Sequence, residues 1–299
     1  MSPEARAAAG RGAFAAGLCY FAWGLVPLYW KQLAGINPVE LIAHRVFWSL
    51  VFLLAVIALR ADGGFAAVRS ALGSPRSVGL NLLSGSLLTV NWLVYVWGVN
   101  TGHVIECSLG YFLVPLINVG LGRLVLHERL RPAQWTAIGC AAVGVLWQVV
   151  QLGHPPVIAL TLAATFGTYG LLRKKSALGP LTGLTVETAL LAPLAVGFLL
   201  WQNHTGAGAL GRVDSASHLL ILSAGVITSV PLLLFAYGAR RIRLSTLGLL
   251  QYIAPTVQFA LGVWFYREVF SPQRAAAFAF IWGGLALYTA DNLWAQRPR

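Results

Sequence analysis

The sequence is short of charge. Of its 299 residues only 10% are Asp, Glu, Lys or Arg, against roughly 25% in ordinary soluble domains. Residues 132–172 run 41 positions without one, and residues 77–105, 188–211, 215–239 and 244–266 are charge-free over 29, 24, 25 and 23 positions. A hydrocarbon core ~30 Å thick is crossed by a helix of about 20 apolar residues. So many such runs make an all-α polytopic membrane protein and leave no stretch for a separate soluble domain. Acidic residues are the scarcest, nine against 21 basic, giving a net charge of +12. That surplus does not indicate a nucleic-acid partner. The cations sit in short clusters between apolar runs, where the positive-inside rule places them without any ligand.

Other absences narrow the chemistry. Cysteine is present three times, at Cys19, Cys107 and Cys140, all in apolar segments and without a CxxC pair; these read as small buried hydrophobes rather than metal or redox groups. His44 is the one histidine well inside an apolar run, and HExxH, GxSxG and P-loop patterns are missing, so no metal, cofactor or direct ATP drive is expected. An intramembrane enzyme would need such a cluster, and a receptor or scaffold would need a sizeable loop or tail. Arg6 and Arg11 precede the 19-residue run Gly12–Trp30, which resembles a signal peptide without its small-residue cleavage site; a retained first helix is expected.

What is present is a set of ten predicted spans, at 12–30, 38–59, 78–99, 104–125, 133–151, 156–172, 181–201, 217–238, 244–265 and 273–291. Gly153-His154-Pro155-Pro156 divides the longest run in two, since proline clashes in a helix interior and lacks a donor. With the N-terminus in the cytoplasm, 16 Lys and Arg fall on the inner side and four outside, with Arg45 left within a helix. This bias predicts both termini inside. Gly206–Gly211 matches GxGxxG by letter, but it lies between two spans with no strand before it, so it is not a dinucleotide site. Asn203-His204-Thr205 is a sequon that matters only in a secretory pathway.

The two halves align. At an offset of 140, Gly98 meets Gly238, Pro115 meets Pro255, Gly122 meets Gly262, Glu128 meets Glu268, Pro132 meets Pro272 and Gly144 meets Gly284. At a slightly larger offset Gly24 meets Gly167 and Lys31 meets Lys174. The expected organisation is an inner tail at 1–11, a first repeat at 12–152, a second at 153–291 and an inner tail at 292–299. Five spans per repeat is odd, so the second copy enters the membrane inverted. That is the architecture of many secondary transporters, with the solute site near the midplane between the halves.

Ionisable groups within spans are costly and usually face a cavity or a partner. Glu40 and His44 share a helical face four residues apart, with Arg45 beside them. They read either as a site for solute or protons or as a structural ion pair. Glu187 holds the matching place in the seventh span and suggests a gate or proton role. Glu106 reads as a cap on its own helix N-terminus, and Glu128 and Glu268 as interfacial partners of Arg129 and Arg267. The amides Asn91, Asn118, Gln251 and Gln258 must find partners in hydrocarbon. With Trp92, Tyr95, Trp97, Tyr111 and Tyr252, and with Pro115 and Pro255 freeing backbone carbonyls, they point to an aromatic-amide cavity for a small organic molecule.

Three motifs then carry a resemblance: Glu40-Leu41-Ile42-Ala43-His44-Arg45-Val46-Phe47-Trp48-Ser49, Ser108-Leu109-Gly110-Tyr111-Phe112-Leu113-Val114-Pro115-Leu116-Ile117-Asn118, and Leu244-Ser245-Thr246-Leu247-Gly248-Leu249-Leu250-Gln251-Tyr252-Ile253-Ala254-Pro255-Thr256. In order, over about residues 10–293, the chain resembles the RarD branch of the EamA family in the drug/metabolite transporter superfamily. The resemblance implies a ten-helix permease of two inverted repeats in a bacterial inner membrane. It also implies export of small metabolites, amino acids or drugs. The expected partners are a small-molecule solute and the lipid bilayer; a monomer can contain both halves of the pathway, and an oligomer is equally compatible. The expected site combines Glu40, His44 and Arg45 for recognition or coupling with a cavity lined by Tyr111, Asn118, Gln251 and Tyr252, and by Asn91, Trp92 and Tyr95, and Glu187 as the mirrored carboxylate.

Overall fold

The computed structural model describes residues 2–33, 35–60, 63–101, 103–261, 264 and 272–296, and all regular structure among them is helical. The long helices are α1 (Pro3–Trp30), α2 (Pro38–Arg60), α4 (Pro75–Asn100), α5 (Val104–Leu124), α6 (Pro132–Leu152), α7 (Val157–Lys175), α8 (Pro180–His204), α9 (Ser215–Ala239) and α12 (Pro272–Gln296). Three short ones accompany them: α3 (Gly64–Leu72), α10 (Leu244–Leu250) and α11 (Ile253–Ala260). Many of the long helices open on proline, whose missing donor costs nothing at a first position. Seven helices among the described residues are long and apolar enough to cross a membrane: α1 with its 3-10 extension, α2, α4, α5, α6, α8 and α9. Phe14, Val150 and Leu194 are each 75% exposed on helix flanks, as suits a surface facing lipid rather than water.

Three boundaries differ from the sequence expectation. Helix α1 begins at Pro3, upstream of residue 12, with Ser2 accepting from the Ala5 amide. Helix α3 was not foreseen, because nine residues are too few for a span; it tucks Val68 and Ala71 against Ile57 and Val186. The run expected as one span at 244–265 is interrupted at Gln251-Tyr252, separating α10 from α11. Pro255 cannot donate to the Gln251 carbonyl four residues back. That carbonyl instead accepts from the Ala254 amide at 3.1 Å, and Gln251 and Tyr252 donate three residues back, to Gly248 and Leu249. Pro115 holds the equivalent place in α5, yet α5 stays continuous.

The two halves of the chain interleave. Helix α1 packs on α9 and α11, α2 on α8 and α9, α4 on α7 and α8, α5 on α7 and α10, and α6 on α12. The α6–α12 contact is reciprocal: an added Cβ on Gly144 would lie 2.7 Å from the Ala277 carbonyl oxygen, and one on Gly284 would lie 2.5 Å from that of Ala137. Ascending residues of one helix face descending residues of the other, so the two run antiparallel. A second matched pair is Gly24 against Val257 and Gly167 against Ile117.

Ties between connections define two ends. At one, Glu128 accepts from the Leu244 amide at 2.6 Å, Lys174 donates to the Ala239 and Ile242 carbonyls, and Arg240 donates to the Leu178 carbonyl at 2.6 Å. Arg123, Arg129, Lys175, Arg241 and Arg243 belong to the same connections, so this is the basic end. At the other end, Tyr29 Oη donates to the Leu220 carbonyl at 2.6 Å and Glu40 accepts from the Ala209 amide.

Candidate functional site

A cavity of about 480 Å³ lies in the half of the bundle away from the basic end. That volume suits a small organic molecule. Its walls come from the second half of α1, the start of α2, the last turns of α4, the start of α5, the middle of α7 and the α10–α11 break. It meets the surface at Lys31 and Gln258, both exposed.

Six of the expected residues line it together: Asn91, Trp92, Tyr95, Tyr111, Gln251 and, at the mouth, Gln258. Asn91 is held by donating to the Leu162 carbonyl at 2.9 Å and to Thr165 Oγ1 at 3.0 Å, while Tyr111 Oη donates to its Oδ1 at 3.3 Å. Trp30, Trp92, Tyr95 and Tyr111 follow one another edge to face, with ring centroids 6.1, 6.5 and 5.5 Å apart. The helix break sets Gln251 in the wall, and its Oε1 has no hydrogen-bond partner among the described residues. Tyr20 Oη and Trp30 Nε1, also on lining residues, have none either.

The other expected residues sit elsewhere. Tyr252 is fully buried away from the cavity, packed near Phe112 and donating to its carbonyl at 3.3 Å. Asn118 is buried where α5 passes Gly167, Gly170 and Gly248, and neither amide atom has a partner among the described residues. The trio in α2 divides. Glu40 Oε1 accepts from the Ala209 amide at 2.6 Å and stands 3.8 Å from His44 Nε2, so it ties α2 to the α8–α9 connection. Arg45 turns the other way, its Cζ 4.9 Å from the centre of the Trp92 ring. Glu187 lies deeper still, accepting from Ser84 Oγ at 2.8 Å and paired with Arg173 at 3.5 Å.

Several carboxylates hold a neighbouring helix rather than the partners expected from sequence. Glu106 caps α7, accepting from the Ile158 amide at 2.8 Å, and not its own helix. Glu128 caps α10, accepting from the Leu244 and Ser245 amides at 2.6 and 3.1 Å and from Ser245 Oγ at 2.7 Å. Arg129 meanwhile offers its carbonyl to Arg243. Glu268 and Arg267 lie outside the described residues.

Sequence reasoning missed the α1 wall. Tyr20, Trp23, Pro27 and Trp30 recur at helical spacing and all line the cavity, a stripe that periodicity alone could have revealed. It also missed Phe166, and it counted Arg173 among loop cations, whereas Arg173 is only 2% exposed. Below the cavity, Tyr20, Trp23 and Phe166 close on Phe235 and Tyr169, with the Trp23–Phe166 and Phe166–Phe235 centroids 5.5 and 5.4 Å apart. This aromatic layer separates the cavity from the basic end.

The EamA-like transporter family profile matches the chain twice, over residues 10–150 and 156–290. The chain is 46% identical to "Protein RarD" of Streptomyces exfoliatus, over 93% of this chain and 88% of that one. It is 41% identical to an "Uncharacterized transporter" of Vibrio cholerae, over 98% and 96%, and 39% identical to "Protein RarD" of Escherichia coli, over 96% of each. A solved crystal structure shares the fold with a TM-score of 0.70 at 21% identity, over 96% of this chain and 99% of its own.

Proposed function

The chain belongs to the EamA-like transporter family, in its RarD branch, and from that premise we propose that it exports small organic solutes by alternating access. It is a multi-pass protein of the bacterial cytoplasmic membrane and a membrane transporter. The solutes would be metabolites such as amino acids or amphipathic drugs. The observation that carries this reading is the cavity, which has polar atoms on its walls without partners among the described residues, opens away from the basic end and is closed toward it by the Tyr20–Trp23–Phe166 layer. A solute site that is wet from one end and sealed from the other is one end state of such a cycle.

Inverted repeats would supply the other state. Their support is the doubled family match and the antiparallel α6–α12 contact, in which Gly144 meets Ala277 as Gly284 meets Ala137. A two-fold axis relating antiparallel spanning helices lies in the membrane plane, so the second half would present the same surfaces to the opposite side. The repeats would run over 12–152 and 153–291, five spans each, with α3 as a short connection and α10 with α11 as one broken span. The basic end would face the cytoplasm, making this the outward-open form.

Flux in proteoliposomes tests the proposal, using labelled amino acids and small amphipathic drugs with and without a pH gradient. Saturable flux of one class supports it. Flux that follows the pH gradient means coupled export, and flux indifferent to it means facilitated diffusion. Folded, correctly inserted protein that moves none of them overturns it.

A further inference from the structure

Arg45 is a buried cation without an anion. It is 4% exposed, and among the described residues no carboxylate lies within ion-pair distance of it and no acceptor meets its Nε. Its guanidinium lies over the face of Trp92. Glu187 is within electrostatic reach, as is Tyr169, but Glu187 is already engaged by Arg173 and Ser84. The buried group of Arg45, Arg173 and Glu187 therefore carries one positive charge in excess. A buried, uncompensated charge is strongly unfavourable, and one inside a membrane protein points to a solute or ion path.

Its place in the fold links it to the cavity. Pro38, Leu41 and Ile42 of α2 line the wall. Arg45 follows at i+3 from Ile42 and i+4 from Leu41, so it continues the same stripe one turn deeper. Trp92 is shared: one neighbour is the cavity, the other the guanidinium. The cavity wall carries no carboxylate among its described residues, and its one charged side chain is Lys31 at the mouth. Trp30 Nε1 and Tyr20 Oη offer donors, and Gln251 Oε1 an acceptor.

Building on the transporter reading, the geometry points to an organic anion as the solute: a carboxylate or similar head taken by Arg45, and a flat apolar body held among Trp23, Trp30 and Trp92. The guanidinium fork matches a carboxylate in two parallel hydrogen bonds. When the head arrives it replaces the Trp92 face as the partner of the guanidinium, and the excess charge is neutralised. A cation would meet Arg45 with no carboxylate within ion-pair distance of it among the described residues, so the site rejects it.

The test is calorimetric binding to the full chain in nanodiscs of zwitterionic lipid, with three probes of one shape: 3-phenylpropionate, 3-phenylpropionamide and 3-phenylpropylamine. The acid is expected to bind more tightly than the amide by roughly tenfold or more, and the amine to bind least. Arg45→Gln should bring acid and amide together, and Arg45→Lys should restore part of the difference, which a merely structural role would not do. The wild-type ranking stands as a test even where a variant fails to fold. Amide or amine binding as tightly as the acid, no binding by any probe, or an acid preference that survives Arg45→Gln overturns the inference. Acid-selective binding without flux would instead overturn transport and leave the anion site standing; flux that favours cations would do the reverse.

Discussion

Arg173 Nη1 and Glu187 Oε2 face each other at 3.5 Å, each side chain only 2% exposed. Arg45 lies within electrostatic reach of this carboxylate but beyond ion-pair distance, so the three buried groups carry one positive charge in excess. Glu187→Gln raises the buried excess to two positive charges, whereas Arg173→Met brings the group to neutrality. Breaking a buried pair costs about 3–5 kcal/mol when it strands a charge. Glu187→Gln is therefore expected to lower the melting temperature in detergent clearly more than Arg173→Met does. Equal losses would contradict the charge count.

The α6–α12 contact gives a symmetric expectation. Gly144→Ala and Gly284→Ala each drive a Cβ against a backbone oxygen of the facing helix, at 2.7 and 2.5 Å. Overpacking of this kind costs roughly 1–3 kcal/mol. Gly139 and Gly283, on the same helices, have nothing within 4 Å of an added Cβ, and alanine suits a helix interior better than glycine. Thermal melts should show Gly144→Ala and Gly284→Ala destabilised alike, with Gly139→Ala and Gly283→Ala unchanged or improved.

Glu40 and Glu128 are expected to act as ties rather than as solute ligands. Glu128→Ala strands the Leu244 and Ser245 amides, a loss in the range of about 0.5–2 kcal/mol seen for helix caps. Glu40→Ala releases the Ala209 amide. Hydrogen exchange should quicken at residues 244–248 in the first variant and at 207–211 in the second, each confined to its own region. A variant with unchanged exchange but lost transport would place that carboxylate in the solute path instead.

Asp214 supplies the pH dependence that lies outside the spans. Hydrogen bonds from Ser217 hold its carboxyl below the usual carboxylate range as it caps α9. A depressed folded value means the cap is at full strength above the unfolded value of about 3.9 and weakens as pH falls through the folded one. Amide exchange at the first turn of α9 is expected to quicken on acidification, and Asp214→Asn, which caps without titrating, should remove that dependence.

How much of this was legible in the sequence follows from range. Most helix positions and the aromatic-amide cluster of Asn91, Trp92, Tyr95, Tyr111, Gln251 and Gln258 could be read, because hydropathy and helical spacing are local properties. The i,i+4 pairing of Glu40 with His44 could be read too, but the Ala209 amide that meets Glu40 and the distant partners of Glu106, Glu128 and Glu187 could not, since each reaches another segment. Tyr252 was misplaced because it shares a sequence neighbourhood with Gln251 while the helix break turns the two apart. Arg173 was hidden in a tribasic run that topology rules treat as loop. Helix α3 fell below the length that marks a span.

Solute is expected to pass through the cavity beside Trp92, and flux through a filled cavity tests this directly. Ala254 lines the wall and is 9% exposed, so Ala254→Trp plugs the space from the α11 side. Proteoliposomes carrying wild-type protein should show saturable flux of an organic solute, and those carrying Ala254→Trp should show none while the melting temperature holds. Flux that persists through the filled cavity would contradict the account.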